Sequence, residues 1–113
     1  MNKITINEKE YSLRYTVRSM MLFEAAASKL FSLDTLSDQY LFLYCLILAN
    51  NKDTDLTFDR LLDYLDNDPS IFTVYTEFMK AELSRQAEFK GKDDNKKGED
   101  KGKNLEWQMY LES

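Results

Sequence analysis

The loop at residues 53–59 comes closest to a pattern that binds a metal ion. If Asp53 is counted as position 1 of a calcium-binding loop, oxygen-bearing side chains fall at positions 1, 3, 5 and 7. A calcium loop also needs glycine at position 6 and a bidentate glutamate at position 12, where this chain has Phe58 and Tyr64. The sequence therefore favours a solvated loop followed by a helix cap.

Residue types that commonly catalyse reactions are scarce. The chain has no histidine, and so it lacks the commonest general base and the commonest zinc ligand. The one cysteine, Cys45, lies in an apolar run and is predicted to be a small core residue, because a reactive thiol needs a basic, partly exposed setting. We expect no catalytic residues, no cofactor and no metal, and hence a protein that is not an enzyme.

The charge is acidic and unevenly distributed. The formal net charge is −5, which argues against nucleic-acid binding, because neutralising phosphates requires an excess of Lys and Arg. Residues 34–68 hold eight Asp and two basic residues. This acidic region is either a patch that meets a basic partner or a set of solvated helix faces that keeps the protein soluble.

Length and composition are those of one globular domain. The 113 residues are 43% apolar and 31% charged. The most apolar run, Tyr40–Ala49, is half of the roughly 20 residues that a membrane-spanning helix needs. No long apolar segment follows Met1, and the single cysteine suits a reducing compartment. We therefore expect a cytoplasmic protein that does not enter a membrane.

The N-terminal residues alternate in the manner of strands. Ile4 and Ile6 alternate with polar residues, as do Tyr11, Leu13 and Tyr15, with a break at residues 7–10. Residues 3–15 are therefore predicted to form a β-hairpin, which must pack on another element because an isolated hairpin is marginal in water.

Helical spacing follows the hairpin. The first helix is predicted from a cap at Thr16 to about Leu30. Its predicted buried stripe contains Val17, Met20, Met21, Glu24 and Ala27, widened by Phe23 and Leu30. A second helix, capped by Thr35 and Asp38, runs from about Leu36 to Asn50 and is apolar nearly all round, which is typical of a central helix.

Two further helices complete the predicted body. Thr57 caps a short helix that runs to about Asp66. Asp68 and Pro69 then begin the last helix, which is predicted to run to about Phe89. The fold class is therefore α+β and mostly α, a short N-terminal hairpin packed on a body of about four helices.

The C-terminal residues divide into a linker and an apolar tail. Residues 90–104 contain six Lys, four acids and no apolar residue, and so we expect a flexible charged linker after a domain formed by residues 1–89. Residues 105–113 are predicted to be a docking segment. Trp107, Tyr110 and Leu111 fall on one face at helical spacing and are the candidate protein contacts. The groove that receives them lies on this domain, on a second copy or on a partner.

The N-terminal half resembles the tail assembly chaperones of tailed phages and prophages. The resemblance covers about residues 3–66 in the order and composition of the hairpin and the first three helices. The residues that carry it are Ile4-Thr-Ile-Asn7, Tyr11, Leu13-Arg14-Tyr15-Thr16, Arg18, Phe23-Glu24 and Phe31-Ser32-Leu33.

The resemblance implies a non-enzymatic helical protein that binds other proteins. Members of that family coat the long tape-measure protein and help to recruit tail-tube subunits. Many are made in two forms by ribosomal frameshifting. Typical members are purely helical, and the hairpin predicted for this chain is a departure from them. The resemblance transfers no individual binding residue. The alternative is a small cytoplasmic adaptor or structural interaction module, and with either function the chain could form homo-oligomers.

Overall fold

An N-terminal hairpin and four helices form the structure, a computed structural model that describes the backbone of residues 2–97 and the side chains of residues 2–88. The elements are the strands β1 (Asn2–Ile6) and β2 (Lys9–Leu13) and the helices α1 (Val17–Ala27), α2 (Leu36–Asn50), α3 (Phe58–Asn67) and α4 (Ser70–Lys97). This confirms the predicted fold class. The described residues divide into two compact units, and the division falls between Phe78 and Met79.

The hairpin closes with a tighter turn than its sequence predicts. Only Asn7 and Glu8 lie outside the strands, and both have positive φ angles, 53° and 66°. This is the two-residue turn whose twist matches that of antiparallel strands. Asn tolerates the left-handed region, whereas Glu adopts it at a cost. The apolar face of the hairpin is buried and consists of Ile4, Ile6, Tyr11 and Leu13.

Two asparagines at the end of α2 hold the hairpin in place. The backbone N–H of Ser12 donates to Oδ1 of Asn51 at 2.9 Å, and Nδ2 of Asn51 donates back to the Ser12 carbonyl at 3.0 Å. Nδ2 of Asn50 donates to the Arg14 carbonyl at 2.9 Å. These bonds join β2 and the residues after it to α2, and so they supply the packing partner that an isolated hairpin lacks.

Helix α1 begins as predicted and ends early. Thr16 and Ser19 form a reciprocal capping box, in which each side-chain oxygen accepts a hydrogen bond from the backbone N–H of the other. The predicted extension to Leu30 is wrong. Ser28 adopts the left-handed region, with φ 57°, and donates its N–H to the Glu24 carbonyl, which terminates the helix at Ala27.

The buried face of α1 also differs from the prediction. Its fully buried residues are Ser19 and Phe23, whereas Val17 and Met21 are 66% and 64% exposed. Leu30, expected to widen the buried stripe, is 83% exposed. The prediction is right for Phe23 and wrong for Val17, Met21 and Leu30, because α1 is apolar on two faces. Phe23 determines which face points inward, because its ring packs edge to face against the rings of Phe31 and Phe42.

Helix α2 is the central element of the first unit. Its bounds and its capping box at Thr35 match the prediction. It contacts α1, β2 and α3. The buried residues are spread around the helix: Asp38, Phe42, Leu43, Cys45, Leu46 and Ile47. A helix that is apolar nearly all round requires cover on several sides, and its neighbours provide it.

Helix α3 and the start of α4 follow the predicted caps. Oγ1 of Thr57 accepts from the Arg60 N–H at 3.2 Å, and Oδ1 of Asp68 accepts from the Ser70 N–H at 3.2 Å. Tyr75 is fully buried and donates its hydroxyl to Oε1 of Gln39 at 2.6 Å. Burial raises the pKa of Tyr75, and so this hydroxyl remains a protonated donor at neutral pH.

Helix α4 extends beyond its predicted end near Phe89. It continues to Lys97 and thus includes residues 90–97 of the predicted linker. Lysine is a good helix former, and a cation near a helix C-terminus interacts favourably with the helix dipole. Residues 98–104 and the docking segment 105–113 lie outside the described residues. The boundaries predicted for the domain, the linker and the docking segment therefore stay predictions.

The two faces of α1 are distinguished by a pair of substitutions. Phe23→Ala removes a fully buried ring from the aromatic cluster, and we expect it to lower the free energy of unfolding by about 3–5 kcal/mol. Met21→Ala, on the exposed face, should change it by no more than about 0.5 kcal/mol. Urea unfolding of both variants measures the difference. Equal losses would contradict the assignment of the inner face.

Candidate functional site

The predicted contact residues Trp107, Tyr110 and Leu111 lie outside the described residues. The structure therefore neither brings them together nor separates them. The candidate surfaces that it does describe are on α1, at the hairpin turn and in the acidic region of residues 34–68.

Exposed apolar residues lie on the outer face of α1, in the loop after it and at the start of α2. Val17, Met21 and Ala25 follow one another at i, i+4 and i+8 and share the outer face of the helix. Leu30, in the loop, is 83% exposed, and Leu36, the first residue of α2, is 58% exposed. We call these five residues the α1 surface. Its sequence signal is that α1 carries only two charged residues, which leaves an apolar face after Phe23 is buried.

Hydrogen bonds fix the loop that carries Leu30. The Glu24 carboxylate accepts from the Phe31 N–H at 2.8 Å. Oδ2 of Asp38 accepts from Nζ of Lys29 at 2.8 Å, from the Asp34 N–H at 3.0 Å and from the Thr35 N–H at 3.2 Å. The loop is therefore tied to both α1 and α2. These hydrogen bonds hold the loop in one conformation, and Leu30 is exposed in that conformation.

The charge of Asp38 is favoured by these partners. The hydrogen bond from Lys29 lowers the pKa of Asp38 below its usual value, and the N–H groups of Thr35 and Asp34 act in the same direction. Partial burial acts in the opposite direction, but the pKa of Asp38 is lowered overall. Asp38 therefore remains an anion at neutral pH and can accept all three hydrogen bonds.

A groove at the hairpin turn is the second candidate. Asn7 donates from Nδ2 to the Tyr64 hydroxyl at 3.2 Å, which joins the turn to α3. Nζ of Lys9 lies 5.7 Å from the centroid of the Tyr11 ring. The lining residues are Ile6, Asn7, Lys9, Tyr11, Asp55, Leu56, Arg60 and Tyr64. Because cations and a carboxylate both line it, the groove does not define one class of ligand.

The acidic region is mostly exposed. Among the described residues, Asp38 is the one aspartate of residues 34–68 that forms an ion pair, and the other seven are exposed. Thr57, a candidate oxygen ligand of the calcium pattern, instead caps α3. No group of three or more acidic or thiol side chains is placed to hold a metal ion anywhere in the described part of the chain. A partner patch and a solvated surface both stay open as interpretations.

Cys45 lies in the core, as expected. It is 2% exposed, and burial raises the pKa of its thiol to about 11. The nucleophilic form of cysteine is the thiolate, which is scarce at neutral pH when the pKa is this high. The position therefore favours packing over chemistry.

Comparisons with known proteins give no match, whether to a model of a protein family, to a curated protein or to a solved structure. Within the described residues, no helix combines the length and the apolar character that crossing a membrane requires.

The role of Asp38 predicts a dependence of stability on pH. Because its folded-state pKa is lowered, its contribution is present above the unfolded-state pKa of about 3.9 and is lost as pH falls through the folded-state value. Asp38→Asn has no carboxylate to protonate at this position, and so it should not lose this contribution to stability in acid. Its melting temperature should therefore fall less steeply with acidification than that of the unmodified protein. Calorimetry over a pH series measures it.

A matched variant controls for the change in net charge. Asp34 is exposed, and only its backbone N–H takes part in the cluster. Asp34→Asn should therefore keep the acid-dependence of the unmodified protein. If both variants lose the same part of that dependence, Asp38 does not stabilise the loop through its charge.

Burial of Cys45 predicts slow modification. In the native protein at pH 8, a thiol-directed disulfide reagent should react at least about a hundredfold more slowly than after unfolding in urea, because the native pKa is near 11 and the unfolded one near 8.5. Absorbance of the released thiolate measures both rates. Equal rates would contradict burial of the thiol.

Proposed function

We propose that this chain is a non-enzymatic cytoplasmic protein that binds proteins in the manner of a tail assembly chaperone of a tailed phage or prophage. In this proposal it holds the long tape-measure protein and recruits tail-tube subunits. The observation that carries the proposal is the α1 surface, which is apolar, exposed and held in a defined conformation.

The shape and chemistry of the α1 surface suit a helical client. A stripe with i, i+4 and i+8 spacing is the pattern by which amphipathic helices meet apolar surfaces. Exposed apolar residues that share one helix face are a common feature of interaction sites in soluble proteins. Leu30 and Leu36 lie at the end of α1 that leads into α2, and so they extend the surface beyond one helix.

The rest of the first unit supports solubility. Seven exposed aspartates between residues 34 and 68 surround the core with negative charge. A chaperone that exposes apolar residues to hold its client needs such charge elsewhere to stay soluble on its own. In this proposal the acidic region keeps the protein soluble, and the α1 surface holds the client.

Charge placed on the α1 surface tests the proposal. The double variant Val17→Glu, Met21→Glu should bind an apolar helical segment of a tape-measure protein at least about tenfold more weakly, because an interface anchor is worth about 2 kcal/mol. Binding is measured by calorimetry, and protection of the segment by light scattering as it is diluted out of denaturant.

A control variant carries the same charge elsewhere. Thr73 and Thr76 are exposed on α4, and Thr73→Glu, Thr76→Glu should keep the affinity of the unmodified protein. Loss of binding in both variants would assign the effect to net charge and not to the surface. If the unmodified chain binds no tape-measure segment, the chaperone proposal is wrong. The adaptor alternative, with a different protein partner, then takes its place.

A further inference from the structure

The two edges of the hairpin are not equivalent. In an antiparallel pair, hydrogen-bonded and non-hydrogen-bonded residue pairs alternate. The two-residue turn makes Ile6 and Lys9 a hydrogen-bonded pair. Counting back along the register makes Thr5 with Glu10, and Lys3 with Ser12, the non-hydrogen-bonded pairs. The backbone N–H and C=O groups of these four residues therefore point away from the hairpin.

The outer edge of β2 is occupied at Ser12. The Asn51 side chain accepts from the Ser12 N–H and donates to the Ser12 carbonyl, as a neighbouring strand would. These two bonds also verify the count, because they require the Ser12 backbone to point outward. An amide side chain thus stands where another strand would otherwise pair.

The outer edge of β1 is open. Lys3 and Thr5 are both exposed, and among the described residues no other backbone or side chain bonds to their outward N–H and C=O groups. An unpaired strand edge is a template for an additional strand. Backbone pairing supplies affinity at such an edge, and alternate side chains supply specificity.

One segment of the chain has the pattern of a strand that pairs with such an edge. In residues 105–111, four of the five apolar residues fall at every second position, at Leu105, Trp107, Met109 and Leu111, and Tyr110 falls between the last two. This period of two is typical of a strand with one buried face. A helix would place three apolar residues, Trp107, Tyr110 and Leu111, on one face. A strand places four on one face. Seven residues are a usual length for a strand and too few for an independent helix.

We propose that residues 105–111 of a second copy of this chain bind as a strand along the open edge of β1. The apolar side chains then extend the row formed by Ile4 and Ile6 on the buried face of the hairpin. Glu106 falls on the opposite face, which is also the face of Lys3 and Thr5. Lys3 is half-exposed there, in a 3.5 Å contact with Glu10, and is available to a second carboxylate.

A short run of residues connects the segment to α4. Residues 98–104 separate the end of α4 at Lys97 from Leu105 and span up to about 23 Å when extended. Tail to edge is a head-to-tail contact, which generates a closed ring or an open filament of copies. The inference is independent of the proposed client, because it concerns the purified protein alone.

Amide hydrogen exchange of the full chain tests the edge directly. The amides of Lys3 and Thr5 should become protected as protein concentration rises, while sedimentation shows an increase in mass. The Glu10 amide, which points outward from the other edge, should stay unprotected. Protection that does not change with concentration would assign the pairing to a single copy, and absence of protection would leave the edge unoccupied. Either result overturns the proposal.

A matched pair of proline variants isolates the β1 edge. Thr5 and Glu10 face each other across the hairpin, and neither contributes its N–H to the ladder between β1 and β2. Thr5→Pro should weaken association at least about tenfold, because it removes a donor and blocks approach to the edge. Glu10→Pro makes the same change on the other edge and should leave association unchanged. Thermal unfolding shows whether both variants keep the fold.

A second pair of variants establishes the conformation of the bound segment. Strand pairing requires Met109 and not Tyr110 on the apolar face, and the helical alternative requires the reverse. Met109→Ser should therefore abolish concentration-dependent protection of Lys3, and Tyr110→Ser should preserve it. The opposite result would mean that the segment binds as a helix, and it would overturn the proposal. Neither substitution changes a residue of the hairpin, and so the result does not depend on whether a variant hairpin folds.

Discussion

The need to cover α2 governs the arrangement of the first unit. This helix is apolar nearly all round, and it buries residues such as Phe42, Cys45 and Leu46 that no single neighbour can shield. The hairpin, α1 and α3 each contact it. Each of these elements is too short to be stable alone, and so packing against α2 is what stabilises it. The contacts that bury α2 are therefore the same contacts that stabilise its neighbours.

Polar side chains decide how each neighbour attaches to α2. Asn51 fastens β2 by imitating a strand, and Asp38 fastens the loop after α1 by accepting three hydrogen bonds. Both lie at the ends of α2, where backbone groups are unsatisfied and the chain changes direction. Apolar burial is non-directional, and so it does not fix the orientation of a short element. These directional bonds fix it, and they determine which residues remain exposed.

Sequence periodicity predicted the elements well and the faces of α1 poorly. The bounds of α2 and the caps at Thr16, Thr35 and Thr57 follow from local rules that depend on a few neighbouring residues. The orientation of α1 depends on which apolar face meets Phe31 and Phe42, which are distant in sequence. The early end of α1 depends on a left-handed serine, which no sequence rule selects. The candidate site was missed for the same reason, because Val17 and Met21 were assigned to the core.

The structure therefore offers two contact surfaces that differ in kind. The α1 surface presents apolar side chains on a helix, and the edge of β1 presents backbone donors and acceptors. Side-chain contact tolerates many apolar helices, whereas backbone pairing requires an extended partner. The α1 surface therefore suits apolar helices of varied sequence, and the edge of β1 suits one defined extended segment. The two surfaces lie on different elements, because the first is formed by α1 and the residues after it and the second by β1, and so substitutions can change one set of groups without changing the other.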